Sequence, residues 1–350
     1  MNPNSTSPRS DARPPAVSVL MSVYNGLPWL TDAVESVLSQ SFSDFEFIIV
    51  DDGSTDGSLE VIQAFVERDA RIRLVSRPNK GLIFSLNEAA SLARAPLLAR
   101  MDADDVCHPT RFERQVQAFN SRPGLIALGT SVRCIKANGE QIDTQGKPPI
   151  GEEAMRAAFD EGTGFIGHPT LMMRREAFEA TGGYRAAYLH AEDLDLLYRL
   201  SFIGTLDNLP EALLDYRIHD RNVSVLHALS MQMMGSLINL LARIRANEGI
   251  DLSGLATEPA TLETIDSVYR RPGLARQVAV RMMHERYVGW PVALQGEALE
   301  HIISTLSSMR HSGIPEQRRR AMSLGWRSIK GLIRLRAWRG LVRFVFRVYL

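Results

Sequence analysis

Apolar and polar positions along the first half of the chain alternate between two periods. Val17-Ser18-Val19-Leu20-Met21-Ser22-Val23 reads as a buried strand that Tyr24-Asn25-Gly26 ends. Ala33, Val34, Val37 and Leu38 then recur at helical spacing as far as Gln40. Glu46-Phe47-Ile48-Ile49-Val50 is a second strand, and it runs straight into Asp51-Asp52-Gly53-Ser54-Thr55-Asp56-Gly57-Ser58 before a new helical pattern near Ser58. Asn79-Lys80-Gly81 opens a helix with Leu82, Leu86, Asn87 and Ala90, and Ala95-Pro96-Leu97-Leu98-Ala99 is another short apolar run. Strand alternating with helix predicts an α/β fold with a mostly parallel sheet flanked by helices. Ligands of such a sheet sit beyond the carboxyl ends of its strands.

The second half is more helical. Leu171-Met172-Met173 is a short strand, and Glu192 opens a helix with Leu194, Leu197 and Tyr198 on one stripe and Leu196 and Leu200 on another. Tyr216-Arg217-Ile218 ends another strand. From His227 to Ala246, Met231, Met234, Leu237, Ile238, Leu241 and Ile244 mark a helix whose methionines predict core packing. Further helical stretches near Pro272 to Tyr287 and Glu297 to Met309 carry no chemical motif, and no internal repeat, zinc spacing or phosphate-cradling loop occurs.

Two acidic turns fall at the predicted ligand edge. Arg100-Met101-Asp102-Ala103-Asp104-Asp105 puts three carboxylates within four residues, directly after an apolar run. Alternate side chains of an extended turn share one side, so Asp102 and Asp104 suit a single hard divalent cation, which would most naturally meet a diphosphate. The competing reading is an acidic turn that caps the next helix. Asp51 and Asp52 end the other strand, where a carboxylate accepts hydrogen bonds from a base N–H or a ribose hydroxyl. Asp52 to Gln63 partly matches a calcium loop, but Gln63 stands where a bidentate Glu is needed and a strand precedes the loop. Ser54, Thr55 or Asp56 capping the following helix is the better structural alternative.

Taken in order, these segments resemble the glycosyltransferases of family 2. The resemblance rests on Val17 to Asn25, Ile48 to Asp56, Asn79-Lys80-Gly81 with Asn87, Arg100 to Asp105, Gly167-His168-Pro169-Thr170, Glu192 to Leu196 and Tyr216 to His219. It covers roughly residues 15 to 225. It implies a GT-A fold, Rossmann-like, with a nucleotide-diphosphate sugar donor, a divalent metal (Mg or Mn) and inverting transfer. It also implies that Asp52 faces the base, that Asp104 is the direct metal ligand, and that Asp102 faces the ribose or the metal. Donor contacts would come from Tyr24, Asn25, Asp51, Asp52, Lys80, Gly81, Arg100 and Asp102. Arg100 either touches the donor or pairs with the carboxylates, and Asp105 caps or orients the helix after Pro109.

An inverting transfer also needs a base for the incoming hydroxyl, and Asp193 is the candidate, ahead of Glu192 and Asp195. Acids at a helix N-terminus are otherwise simple dipole partners. His168 and Glu192 are acceptor-side candidates. His219, at a strand end, is placed to complete the metal shell or meet a phosphate oxygen, with an ordinary hydrogen-bonded role as the alternative for both histidines.

Composition sets limits. The 350 residues hold one substantial catalytic domain plus an appendage, and 40 Lys and Arg balance 40 Asp and Glu, giving no pull toward nucleic acid. Only Cys107 and Cys134 occur, which fits a reducing cytoplasm. The expected organisation is a disordered tail at 1–14 without a signal peptide, a catalytic domain at 15–225, a helical appendage at 226–312 and a basic amphipathic segment at 313–350. From Arg310 to Leu350, eleven Lys or Arg face one acid, Glu316, and Trp326, Ile329, Ile333, Trp338, Leu341, Val345 and Phe346 are interleaved among them. Arg residues interrupt every apolar run, so a helix lying in an anionic membrane surface fits better than a spanning one. A basic helix packed on its own domain or on a partner is the alternative.

The expectation is a metal-dependent inverting transferase that moves a sugar, through a UDP-sugar, onto a growing cell-surface glycan or lipid-linked oligosaccharide. It would work at the cytoplasmic face of the membrane. A nucleotidyltransferase acting on sugar phosphates would carry a Gly-rich basic loop after the first strand, which Tyr24-Asn25-Gly26-Leu27-Pro28 lacks. A catalytically silent sugar-nucleotide or glycan-binding subunit would lack the acidic motifs that are present here.

Overall fold

The structure, a computed structural model, describes residues 13–146, 148–161 and 166–284. Most of the 1–14 tail, the helix expected at Glu297 to Met309 and the basic segment at 313–350 lie outside the described residues. In chain order the elements are β1 (Val17–Val23), α1 (Leu30–Leu38), β2 (Phe45–Asp51), α2 (Ser58–Arg68), β3 (Ile72–Ser76), α3 (Leu82–Leu92), β4 (Leu97–Arg100), β5 (Val106–Cys107) and α4 (Arg111–Ser121). They continue with β6 (Leu125–Lys136), β7 (Gln141–Gly146), α5 (Glu152–Glu161), β8 (Met172–Arg174), α6 (Arg175–Ala180), α7 (Glu192–Ser201) and β9 (Thr205–Ile218). Among the described residues four helices follow: α8 (Val223–Leu226), α9 (Ala228–Glu248), α10 (Ile265–Val268) and α11 (Leu274–His284).

The chain packs as two compact units that interleave along the sequence. The first falls within Met1–Glu152, Ile166–Gly183 and Ile203–Arg217, the second within Glu153–Phe165, Tyr184–Phe202 and Ile218–Leu350.

The first unit is built on a mixed sheet of order β3-β2-β1-β4-β8-β6-β9-β5, with β7 beside β6. Its β3-β2-β1-β4 portion is parallel, as the strand–helix alternation predicts, whereas β8 joins β4 antiparallel and β5 joins β9 antiparallel. β1 and β2 are buried almost throughout, which is why both read as continuous apolar runs and not as alternating ones. Leu30, Ala33, Val34 and Val37 of α1 are fully buried in the core that also holds Val19, Met21, Phe47 and Ile49. Burying side chains of this size contributes roughly 1.5–3 kcal/mol each. Glu46 is the polar exception inside β2. Its carboxylate accepts Ser18 Oγ at 2.7 Å, the Arg94 backbone N–H at 2.7 Å and Arg94 Nε at 2.8 Å.

The second unit is helical. Met234, Leu237, Ile238, Leu241 and Ile244 of α9 are buried, so the methionine-rich stripe is core, as its spacing predicts. Gln232 donates to the Met282 carbonyl of α11 at 2.6 Å, and Asn239 donates to the Phe159 carbonyl of α5 at 3.0 Å. Phe159 meets Tyr198 of α7 edge to face at 4.7 Å, so polar and aromatic contacts together fix three helices on α9.

Candidate functional site

The carboxyl ends of β1, β2, β3 and β4 lie side by side in the first unit, and the loops leaving them carry most of the candidate residues. Asn25, just after β1, has a left-handed φ of 53°, a conformation that Asn tolerates better than most residues. Its Oδ1 accepts the Thr55 N–H at 2.8 Å, and its own N–H donates to Ser54 Oγ at 3.0 Å. Gly26 N–H donates to Ser58 Oγ at 2.9 Å and Leu27 N–H to Asp56 Oδ2 at 3.0 Å, so the loops after β1 and β2 are stitched together. Asp56 also accepts the Ser58 N–H at 3.0 Å from one residue ahead of the N-cap position, Gly57, which has no side-chain cap. Tyr24 projects from this edge, 56% exposed.

Asp51 and Asp52 are both buried and both engaged. Asp51 accepts Ser76 Oγ at 2.9 Å and the Ser54 N–H at 3.2 Å. Asp52 accepts the backbone N–H groups of Lys80 at 2.8 Å and Gly81 at 2.9 Å and pairs with Arg77. Arg77 continues to Glu88 at 2.7 Å and Ser85 at 2.9 Å. Asp52 therefore sets the path of the 77–81 loop. Gly53, at φ 79°, permits that path: a Cβ there would stand 2.8 Å from the Asn79 nitrogen. The Lys80 ammonium lies 4.4 Å from the Phe84 ring centroid, a cation–π contact on a ring that is 43% exposed.

After β4 the acidic turn draws Asp102, Asp104 and Asp105 together, each offering a carboxylate oxygen within 4.8 Å of the others. Arg100 pairs with Asp102, one of the two roles the sequence allowed it. The expectation that Asp105 caps the following helix is corrected: α4 begins at Arg111 after Thr110, with no side-chain cap. β5 pairs with β9, Val106 opposite Asp215, and this brings the Arg217 N–H to Asp105 Oδ1 at 2.8 Å. Asp105 is fully buried, and its Oδ2 has no hydrogen-bond partner. Burial, then the charges of Asp102 and Asp104, push its carboxyl well above the ordinary carboxylate range, and the Arg217 N–H and Arg100 only partly oppose this. Three hard oxygens whose mutual repulsion is only partly offset, with a buried Asp105 oxygen lacking a hydrogen-bond donor, fit a divalent cation such as Mg or Mn.

Two buried arginines hold the ends of this turn by its main chain. Arg111 Nη2 donates to the Arg100 carbonyl at 2.9 Å, and Arg217 Nε donates to the Asp104 carbonyl at 2.8 Å. Neither role was read from the sequence. Arg111 carried a signal, because it shares with Phe112, Gln115, Val116 and Phe119 the buried face of α4.

His168 is partly buried in the turn before β8. The Leu171 carbonyl that ends this turn accepts the Arg100 N–H at 2.8 Å, so the histidine and the acidic turn belong to one hydrogen-bonded framework. Burial and the positive charge of Arg100 hold the His168 imidazole well below the ordinary histidine pKa, and so neutral.

The second unit carries the candidate base. Glu192, Asp193 and Asp195 all lie in the first turn of α7, complementing its dipole. They differ sharply in surroundings. Asp195 is buried and accepts Arg185 Nε at 3.0 Å and Arg199 Nη2 at 2.6 Å, which makes it a structural ion-pair centre. Glu192 is buried, whereas Asp193 is partly exposed and accepts the Leu194 N–H at 2.7 Å. His219 also belongs to this unit. Its backbone N–H donates to Asn222 Oδ1 at 2.6 Å, and its Nδ1 accepts the Arg221 N–H at 3.2 Å.

The profile of the family "Glycosyl transferase family 2" matches residues 18–182. The O-antigen biosynthesis glycosyltransferase WbnJ of Escherichia coli is 32% identical over 210 residues, which is 59% of this chain and 81% of that protein. The mannosyltransferase PcManGT from Pyrobaculum calidifontis, solved in complex with GDP-Man and Mn2+, superposes with a TM-score of 0.53 at 15% identity, covering 96% of this chain and 86% of that one. S. aureus TarS 1-349 in complex with UDP-GlcNAc gives a TM-score of 0.58 at 15% identity, covering 95% and 91%. At that identity the two structures speak for the fold, which is the GT-A fold of glycosyltransferases.

Proposed function

Because the chain belongs to glycosyl transferase family 2, we propose that it is a metal-dependent inverting enzyme that moves a sugar from a UDP-sugar to a hydroxyl of a cell-surface glycan or lipid-linked oligosaccharide. The observation that carries the metal and donor reading is the Asp102, Asp104 and Asp105 cluster at the carboxyl end of β4, with its buried oxygen lacking a donor. PcManGT, with GDP-Man and Mn2+, supports a metal, TarS, with UDP-GlcNAc, supports a UDP-sugar, and the name of WbnJ supports a surface glycan.

In this reading Asp102, Asp104 and Asp105 hold the cation, which when bound offsets negative charge on the departing diphosphate. Arg100 shares Asp102 and keeps a positive charge at the same edge. Asp52 fixes the 77–81 loop beside the nucleotide, and Tyr24, Asn25, Asp51, Lys80 and Gly81 border it. Asp193 takes the proton from the acceptor hydroxyl as its oxygen forms the bond to the anomeric carbon and the bond to the diphosphate breaks on the opposite face. Asp193 is preferred because Asp195 is held by two guanidiniums and Glu192 is buried. Neutral His168 and Glu192 serve the acceptor side, and His219 is the remaining candidate for the metal or a phosphate oxygen.

Among the described residues no helix is long and apolar enough to cross a membrane. The basic amphipathic segment at 313–350 supports peripheral attachment at the cytoplasmic face, beside a lipid-linked acceptor. The test is a thermal-shift and calorimetric screen against UDP-, GDP- and dTDP-sugars, with and without Mn2+. Metal-dependent stabilisation by a UDP-sugar that Asp104→Asn erases is the expected result. Stabilisation by a GDP-sugar alone would reassign the donor, and binding by none would overturn the donor reading.

A further inference from the structure

We infer that Arg217 is a positioning residue for the metal: its side chain sets the main chain of the acidic turn so that the carboxylates of Asp102 and Asp104 converge. This rests on reading that turn as the metal site. The Arg217 side chain is 3% exposed, and its guanidinium reaches three separate segments of the first unit. Nε donates to the Asp104 carbonyl at 2.8 Å, Nη1 to the Ala137 carbonyl after β6 at 3.2 Å, and Nη2 to Asp32 of α1 at 3.2 Å. Its backbone N–H meets Asp105 Oδ1.

Three features give these contacts a direction. First, Nε grasps Asp104 at its main-chain carbonyl, so the clasp acts on the path of the turn itself. Second, the guanidinium is anchored at its far end by Ala137, whose carbonyl also accepts the Trp29 indole N–H at 2.9 Å, and by Asp32. A planar fork held by such separate acceptors has little freedom left, and an ammonium could satisfy only some of them. Third, Arg111 holds the opposite end of the turn at the Arg100 carbonyl, so loss of Arg217 frees one end while the other stays fixed. Groups that orient metal ligands from behind typically change metal affinity by about 10–100-fold when removed.

The experiment is Mn2+ titration followed by electron paramagnetic resonance on the full chain, with Mn2+ alone and with Mn2+ plus UDP. Wild type is compared with Arg217→Lys, Arg217→Met, Asp32→Asn and Asp104→Asn, with melting temperature measured alongside. Arg217→Lys and Arg217→Met are expected to weaken Mn2+ binding by about tenfold or more. Asp32→Asn, which leaves the grasp on Asp104 in place, should stay within about twofold of wild type; a merely structural role would lower the melting temperature of all three and leave Mn2+ affinity unchanged. If Arg217→Met does not fold, Arg217→Lys decides alone. Wild-type affinity in a folded Arg217 variant, with Asp104→Asn silent, overturns the inference and leaves the site reading standing. Retained Mn2+ binding in Asp104→Asn, or none in wild type, overturns the site reading and this inference with it.

Discussion

Asp52 Oδ2 accepts the backbone N–H of Gly81 at 2.9 Å, tying the end of β2 to the start of α3 across 29 residues. The same carboxylate takes the Lys80 N–H and pairs with Arg77, so it is the hub of the loop that borders the proposed nucleotide site. Replacing it with Ala would leave two part-buried amides without this acceptor and Arg77 with Glu88 as its remaining carboxylate. Asp52→Ala is expected to cost about 3 kcal/mol of stability, and chemical denaturation checks it. Once folded, the variant should bind donor more weakly because Lys80 and Gly81 are no longer held.

Asp193, the proposed base, and Asp195, a buried ion-pair centre, differ in their surroundings. Asp193→Asn should leave melting temperature and donor binding near wild type while transfer falls by about a hundredfold or more, the usual range for a lost general base. Asp195→Ala removes the shared partner of Arg185 and Arg199 and should destabilise by about 3–5 kcal/mol. Steady-state kinetics and calorimetric melting on both variants distinguish them. Near-normal transfer by a folded Asp193→Asn would remove it as the base.

How much of this was legible in the sequence depended on how far apart the partners lie. Asp102 and Asp104 are two residues apart on one turn, so their proximity was legible from spacing. The order β1, α1, β2, α2, α3 and β4 was legible because each of these elements declares its own period, whereas β3, β6 and β7 were not read. Asp105 reads as capping or orienting the next helix, yet it accepts the Arg217 N–H from 112 residues away. Nothing local marks that contact, which exists because β5 lies against β9. Arg111 was passed over because an arginine on a helix is usually solvated, although its i+4 partner Gln115 is equally buried and bonds to it at 3.1 Å. The acids of α7 illustrate the converse: sequence singled out all three with Asp193 ahead, and burial and ion pairing supply a physical difference between them.

Stability should depend on His190. This residue has φ 70°, stacks on His227 with ring centroids 3.9 Å apart, and lies 3.2 Å from Ser230 Oγ. Burial, then the charge of His227, lowers its pKa below the ordinary 6.5. A histidine that resists protonation when folded is protonated more readily when unfolded. The unfolded chain therefore binds more protons between the two values, and stability falls as pH drops from 6.5 through the folded value, then levels off. His190→Asn keeps a residue that tolerates left-handed backbone and removes the titration. Melting temperature measured from pH 8 to pH 5 should fall less steeply for the variant than for wild type, and equal slopes would remove His190 as the cause.

The last prediction concerns charge distribution. Eleven Lys or Arg and one acid lie from Arg310 onward, so the preceding residues carry 29 Lys or Arg against 39 Asp or Glu. A body of that sign is repelled by an anionic bilayer, and attachment would have to come from the basic segment. Each basic side chain near such a surface is worth about 1 kcal/mol, and the attraction decays within a Debye length of roughly 8 Å at physiological salt. The intact chain should sediment with vesicles containing phosphatidylserine and not with neutral phosphatidylcholine vesicles, and raising the salt should release much of it. Removal of residues 318–350 should abolish sedimentation at every salt concentration while metal-dependent donor binding persists. Equal vesicle binding by the truncated chain would move the membrane contact elsewhere, since the remaining residues would then have to overcome their own net negative charge.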